Sequence, residues 1–465
     1  MTSSAKLARL RGEKTFKGYV FIHLPDEFVA VSAGLLAMVE RGITTVRSQF
    51  GYGARYLRRP NALPVDPLSL PLAGAVPGSD REEFPVSGLL LFGAIRDASP
   101  DSWGRRVIES KLQVPANSLP ESEYLMQAGS ERFGALDLRP DLSSGPSDDV
   151  LPPASDLGYL LDAADRIANG EIVPPDLQRL YHAGSAMGGA RPKALVTDKG
   201  RMYLAKFPVK DDAFDVPLVE YATLELAREC DLNVPAVHLA PLPDGRNIML
   251  IERFDRQPDP DGKKFTRRHT VSALTMLGLH ESESSTSAYA AIANATAKYG
   301  GHGIVATDHR ELFARMVFNI LVSNDDDHLR NHAYVFDRQI KGWRLSPLYD
   351  VVPKPQIGFE RFLHLAVGPR GRLATLDNAL EGCRPFGLDR DEAAHIIDHI
   401  YSRVREWRVS FERYGVDPKS CDRIASAFRR GDDVGLKEIR ETMVAASRGR
   451  RAQQKKASPS ASDEA

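Results

Sequence analysis

Cysteine is scarce in this chain. Cys230, Cys383 and Cys421 are the only three among 465 residues. They are odd in number and far apart, so they build neither a disulfide framework nor a paired-cysteine zinc site. A reducing compartment fits. No uncharged run reaches the roughly 18 residues of a membrane span. The N-terminal stretch MTSSAKLARLRGEKTFKGYVF is basic but has no apolar core of signal-peptide length. An excess of either charge is missing too. The 61 basic and 62 acidic residues leave a net charge of −1, so bulk charge gives no reason to bind nucleic acid or a membrane. No internal repeat is present. These absences point to a cytoplasmic globular protein, and a hydrophobic fraction of 42% supports more than one core.

Residues 16–60 read as short alternating strands around one helix-like stretch, VSAGLLAMVERG, and residues 60–80 are rich in proline and glycine. GLLLFGAIRDASPDSWGRRVIESKL, residues 88–112, predicts a strand, a turn at Ser99-Pro100-Asp101 and a helix. Residues 139–156 (RPDLSSGPSDDVLPPASD) predict a linker or surface loop. It separates an N-terminal unit, residues 1–138, from a core, residues 157–445. Within the core, DLGYLLDAADRIAN reads as a helix, KALVTD and RMYLAKFPV as strands, and NIMLIERFD as another strand. PLVEYATLELAREC has helical periodicity with Pro217 suited to its first turn. The rest is mostly helical by pattern, including ELFARMVFNILV and EAAHIIDHIYSRVREW. Residues 446–465 are polar and read as disordered.

The richest chemistry lies in Ser323-Asn324-Asp325-Asp326-Asp327-His328-Leu329-Arg330-Asn331-His332. Three consecutive carboxylates repel one another unless a cation or hydrogen-bond donors offset the cost. Phosphoryl transfer uses such a site. One carboxylate orients or deprotonates the attacking hydroxyl, and further oxygens hold Mg²⁺. Protein kinases space an Asp and an Asn five residues apart, which selects Asp326 as the base and Asn331 as a metal ligand. A second carboxylate for Mg²⁺ is expected at a nearby strand end, and Asp350 in LSPLYDVV supplies it. The plain alternative for the aspartates is a solvated helix cap or a calcium-like loop.

Three upstream features favour the chemical reading. Lys206 is a charge within an apolar strand-like run and needs a phosphate or a carboxylate as partner. Glu220 on the following helix can hold it, with Glu225 as a rival. The plain alternatives are an edge-strand lysine with its head in water and an exposed helix carboxylate. Gly184, Gly188 and Gly189 allow a backbone to approach phosphate oxygens, and Arg191 and Lys193 add positive charge. The pattern is neither G-x-G-x-x-G nor a Walker A loop, and an ordinary tight turn is its plain alternative.

These segments resemble the HipA family of bacterial toxin kinases. GSAMGGARPKA, YLAKFP, VEYATLELAREC, IERFDR, FNILVSNDDDHLRNHAYVF and LSPLYDVVP follow the order of that family's kinase core. FGYGARYLRRPNALPVDPLSLPL and FGAIRDASPDSWGRRVI are similar to its N-terminal part. The resemblance runs from about residue 17 to about residue 410. It implies an α+β fold: a protein-kinase-like, two-lobed core, a small β-rich N-terminal subdomain and an all-helical C-terminal lobe. It also implies an ATP- and Mg²⁺-dependent Ser/Thr protein kinase. Asp326 would accept the proton, Asn331 and Asp350 would bind Mg²⁺, and Lys206 would contact ATP phosphates. Gly188, Gly189, Ala190, Arg191 and Lys193 would form the ATP-binding loop. Glu252, Arg253 and Phe254 would line the adenine side, with His328 and Tyr349 flanking the nucleotide. The family's loop often carries a serine where this chain has Ala186. Ser185, one residue earlier, either takes that autophosphorylated role or the switch is lacking. The implied partners are a protein substrate, an aminoacyl-tRNA synthetase being the best-known class, and a small helix-turn-helix antitoxin that contacts DNA. No membrane is implied. Two other readings stand beside it. One is a metal-dependent phosphohydrolase using His302, His309, Asp325, Asp327, His328 and His332. The other is a nucleotide-binding regulator that works through its antitoxin without turnover.

Overall fold

The structure is a computed structural model describing residues 12–78, 81–147, 150–174, 184–185, 189–437 and 439–441. Gly188, Ala186 and residues 446–465 lie outside the described residues.

The N-terminal part is built on a four-stranded sheet. Strands β1 (Glu13–Ile22), β2 (Val31–Arg41), β3 (Thr44–Tyr52) and β4 (Leu136–Arg139) pair in the order β3-β2-β1-β4, antiparallel throughout. The stretch expected to be helical is therefore β2. Its apolar spacing is compatible with either period, and pairing on both edges decides for the strand. Gly34 shows how tight that pairing is. A Cβ there would sit 2.3 Å from the Gly51 carbonyl oxygen and 2.4 Å from the Phe50 ring. The predicted strand GLLLFGAI is also corrected. Its latter half is a short helix, Gly93–Asp97, with Gly93, Ala94 and Ile95 buried. A short apolar run has no period that separates a strand from a buried helix.

Helix α1 (Ser102–Leu112) follows, capped by Asp101, whose carboxylate accepts the Ser102 amide. Helix α2 (Leu157–Ala168) precedes a second antiparallel sheet of β5 (Lys193–Asp198), β6 (Arg201–Lys206), β7 (Val237–Pro241) and β8 (Asn247–Glu252), ordered β5-β6-β8-β7. Helix α3 (Val216–Glu229) lies between β6 and β7 in the chain. Asp215 caps it by accepting the Leu218 amide, Pro217 sits in its first turn, and the same carboxylate binds the Asn247 amide at 2.9 Å. One residue thus ties the start of α3 to β8. Strand alternation sorts the sheet's two faces. Met249 and Ile251 pack into the cluster that holds α3. Ile248 and Leu250 pack into the cluster that holds α1 and α2.

The C-terminal region is mixed rather than all helical. β9 (Arg256–Pro258) pairs with β10 (Phe265–Arg267), and β11 (Thr270–Ser272), β12 (Ala333–Asp337) and β13 (Gly342–Leu345) form a sheet ordered β11-β12-β13. Phe336 and Trp343 face each other across β12 and β13, with ring centroids 5.6 Å apart. Aromatic cross-strand pairs of this kind stabilise a short hairpin; β13 overlaps the strand WRLSPL expected just before Asp350, while its partner β12 was not expected. Helices α4 (Tyr289–Tyr299), α5 (Val305–Val322) and α6 (Arg390–Val404) complete the frame. α5 buries Met316, Phe318, Ile320 and Leu321 completely and ends at Ser323 in the left-handed region, φ 52°. That residue turns the chain into the aspartate run. Among the described residues no helix is long and apolar enough to cross a membrane.

Candidate active site

A cleft of about 240 Å³ opens beside the β5–β8 sheet. Lys206, the last residue of β6, reaches its charged end. Its Nζ donates to Glu220 Oε1 at 2.5 Å and to Asp350 Oδ1 at 2.7 Å. Burial opposes the ammonium charge, but the Asp350 and Glu220 carboxylates outweigh it and raise the lysine pKa. Lys206 in turn holds Asp350 well below the ordinary carboxylate range. Glu220 is fully enclosed on α3, and burial pushes its carboxyl up against the pull of Lys206. Glu225, on the same helix, pairs with Arg228 instead. Asp350 adopts φ 61°, a left-handed conformation that aspartate tolerates better than bulky residues do.

The aspartate run splits into three environments. Asp325 accepts from Gln356 at 2.8 Å and pairs with Lys354 at 2.9 Å. Asp327 is 1% exposed and accepts from Tyr289, from Asn319 Nδ2 at 2.8 Å and from His332 Nε2 at 2.9 Å. Asp326 between them is solvent-facing, its side chain 63% exposed, with Lys354 Nζ at 3.6 Å. Asn331 donates its amide to the Asp326 carbonyl at 2.9 Å, closing the loop between the two. Tyr349 donates to the Arg330 carbonyl at 2.8 Å and stacks on Phe254, with centroids 5.7 Å apart.

Gly189, Lys193, Lys206, Glu252, Arg253, Phe254, His328, Asn331, Tyr349 and Asp350 all line the cleft. Burial lowers the Lys193 pKa, and the neighbouring Lys206 charge adds to the effect. The Arg253 guanidinium is engaged by protein groups. It donates to Asp255 and to the carbonyls of Glu131 and Arg132. Glu252 is paired with Arg201 at 2.5 Å. Ala190 is exposed, and Arg191 is engaged with Asp212. Neither lines the cleft. Ser185 is 3% exposed and donates to the Ala128 carbonyl at 3.2 Å, so phosphorylation there requires the segment to open. Of the four histidines in the hydrolase reading, His328 alone lines the cleft. His309 binds the Ala293 carbonyl, His332 is buried on Asp327 and His302 is exposed. Among the described residues no three His, Cys, Asp or Glu side chains converge as metal ligands.

Sequence reasoning missed the contribution of the N-terminal part. Asp97, Ser99, Asp101 and Phe133 also line the cleft. Asp101 accepts the Gly189 amide at 3.0 Å, and the Trp103 indole donates to the Lys193 carbonyl at 2.7 Å. The N-cap character of Asp101 in SPDSW was readable, but its partner 88 positions away was not.

The family model described as the HipA-like C-terminal domain matches residues 185–408, the stretch that contains Lys206, Glu220, Asp326, Asn331 and Asp350. The chain carries a HipA-like C-terminal domain. A protein of Sinorhizobium fredii, Y4mE, provisionally named a kinase, is 27% identical over 362 residues, covering 70% of this chain and 77% of that protein. A second, from Haemophilus influenzae and likewise provisionally named a kinase, is 24% identical over 194 residues. That match covers 37% of this chain and 55% of that protein. Among solved structures, the toxin–antitoxin complex of HipA, HipB and operator DNA from Shewanella oneidensis MR-1 matches with a TM-score of 0.64. The likeness covers 91% of this chain and 97% of that one at 17% identity. The HipA fold thus extends beyond the HipA-like domain into the N-terminal part.

Proposed function

We propose that this protein is an ATP- and Mg²⁺-dependent kinase that phosphorylates a serine or threonine of a protein, acting as the toxin of a toxin–antitoxin pair. The observation that carries the proposal is the bridge from Lys206 to Glu220 and Asp350. A strand lysine held by a helix glutamate, beside a metal-binding aspartate, is the arrangement that phosphoryl transfer uses to place nucleotide phosphates. On this reading the β5–β8 sheet with α3 forms a smaller lobe, and α4–α6 with the β11–β13 sheet a larger one.

The donor set fits magnesium. Asp350 gives one carboxylate oxygen to Lys206, and Asn331 uses its amide N–H on the Asp326 carbonyl. Each keeps an oxygen that no donor occupies among the described residues. One or two protein oxygens suffice when phosphates and water complete the shell. The ion, when bound, neutralises negative charge on the phosphate oxygens. Lys206 and the Gly189–Lys193 turn hold the phosphates, and Glu252, Phe254, His328 and Tyr349 border the rest of the nucleotide. Asp326, solvent-facing with Lys354 Nζ 3.6 Å away, accepts the proton of the incoming hydroxyl. The hydroxyl oxygen then bonds to the γ-phosphorus as the bond to ADP breaks.

A toxin role and an antitoxin partner that meets DNA draw support from the HipA–HipB–operator complex that the fold matches. An aminoacyl-tRNA synthetase is the substrate class to test first. Incubation of a lysate with γ-labelled ATP, followed by phosphoamino-acid analysis, tests the reading. Labelled phosphoserine or phosphothreonine formed by the wild type and not by Asp326→Asn is expected. Label released only as inorganic phosphate would contradict it.

A further inference from the structure

Three arginines converge on one short loop, Ser130–Gly134, which leads into β4. Arg253 donates to the Glu131 carbonyl at 3.0 Å and the Arg132 carbonyl at 2.7 Å. Arg256 donates to the carbonyls of Arg132 at 2.6 Å and Gly134 at 2.9 Å. Arg267 donates to the Ser130 carbonyl and pairs with Glu131 at 2.7 Å. Asp255 pairs with Arg253 and Arg256 and accepts the Gly134 amide at 2.7 Å. All three guanidiniums are buried. Gly134, at φ +75°, lies so close to β11 that a Cβ would stand 2.8 Å from the Thr270 carbonyl oxygen.

Burying several charges is a costly way to stabilise a loop, since desolvation offsets much of the attraction. What such a network does supply is position. The thing positioned is identifiable. Ser130 bonds to Asp137, Glu131 faces the arginines and Arg132 is wholly buried. Phe133 is the loop's one side chain that lines the cleft. Its ring meets Phe254 edge-on, with centroids 6.2 Å apart, and Phe254 stacks on Tyr349. With Leu195, Leu204 and Ile251 these rings make the apolar part of a cleft that also carries Lys206 and Asp350. A ligand with a planar apolar part joined to an anionic part matches that lining. Nucleotides have that composition.

We infer that Phe133 is a nucleobase-contacting residue, supplied to the cleft by the N-terminal part and held there by Arg253, Arg256 and Arg267. The inference rests on the nucleotide-binding reading above and adds a residue outside the HipA-like domain to the site. It is tested by calorimetric titration of the full chain with Mg·ATP and, separately, with Mg·tripolyphosphate, which carries the phosphates without a base. Phe133→Ala is expected to weaken ATP roughly ten-fold or more, the scale of one aromatic–base stack, and to leave tripolyphosphate unchanged. Phe133→Leu keeps apolar volume without a ring. It should retain the wild-type melting temperature and show the same selective loss, while Phe133→Tyr retains ATP affinity. Unaltered ATP affinity in Phe133→Ala and Phe133→Leu would overturn the inference, as would an equal loss for both ligands. A wild-type protein that binds neither ligand would overturn the nucleotide-binding reading itself, and this inference with it.

Discussion

Asp325, Asp326 and Asp327 are adjacent in the chain, and the structure gives each a separate task. Asp327 is a buried anchor for Tyr289, Asn319 and His332. Asp327→Ala should strand those donors and cost about 2–4 kcal/mol, read as a clear fall in melting temperature. The Asp326 carboxylate is solvent-facing beside the partly exposed Lys354, so Asp326→Asn should leave stability unchanged, and unchanged ATP affinity in a titration is the matching expectation. Asp350→Asn should instead weaken Mg²⁺-dependent nucleotide binding, because it removes a charge on which Lys206 depends. The charge state of the Lys206–Asp350 pair is robust to pH. Asp350 has a depressed pKa, so its contribution is present above the ordinary carboxylate pKa and is lost only on strong acidification. Lys206 has a raised pKa, so its contribution is present below the ordinary lysine pKa and is lost only in strong base. A pH profile of nucleotide affinity between about pH 6 and 9 should therefore show no step from this pair. A step that disappears in Asp350→Asn would contradict this.

At the scale of elements, glycine positions and buried charges explain what periodicity does not. β2 reads as helix or strand from its residues alone. The close approach of Gly34 to Phe50 and Gly51 exists only in the paired sheet. Gly34→Ala should destabilise by about 1–3 kcal/mol or more through overpacking, measurable by denaturant unfolding. The arginine clamp makes a pH prediction. Burial raises the Glu131 pKa, but Arg267, Arg256 and Arg253 outweigh it and hold the group at about 2 against its ordinary 4.5. A depressed carboxylate stabilises above its unfolded pKa, and that contribution is lost as pH falls through the folded value. The melting temperature of the wild type should drop more steeply between pH 5 and 2 than that of Glu131→Gln. Parallel curves would show that the clamp carries no such linkage. The strand WRLSPL before Asp350 was read from the sequence and overlaps β13, and β12 was readable in principle, since AYVFD carries two aromatic residues and a valine. A mostly helical expectation for the region obscured β12.

At the scale of the molecule, the cleft draws on segments far apart in sequence, and that separation divides what was legible from what was not. Lys206, Asn331 and Asp350 stand in motifs whose spacing carries chemical meaning, so residue type and order were enough to bring them forward. Asp101 and Phe133 stand in no such motif. They reach the cleft only because the N-terminal part packs on the β5–β8 sheet, through contacts such as the Trp103 indole on the Lys193 carbonyl. Arg191 shows the converse. Its charge and position beside the glycines marked it as a ligand group, but Asp212 competes for it, and nothing in the local sequence announces that partner. The strand alternation around β2 was legible in the sequence although β2 itself read as helical, whereas the contribution of the N-terminal part to the cleft, through Asp97, Ser99, Asp101 and Phe133, was a property of packing.

The central claim is transfer of phosphate to protein, and intact-mass spectrometry tests it most directly. Purified wild type and Asp326→Asn are incubated with Mg²⁺ and ATP, alone and with lysate, and the products are weighed. The account predicts phosphate-sized mass additions on the protein or on a lysate target with wild type only. ATP bound without any such addition, or the same additions with Asp326→Asn, would contradict it.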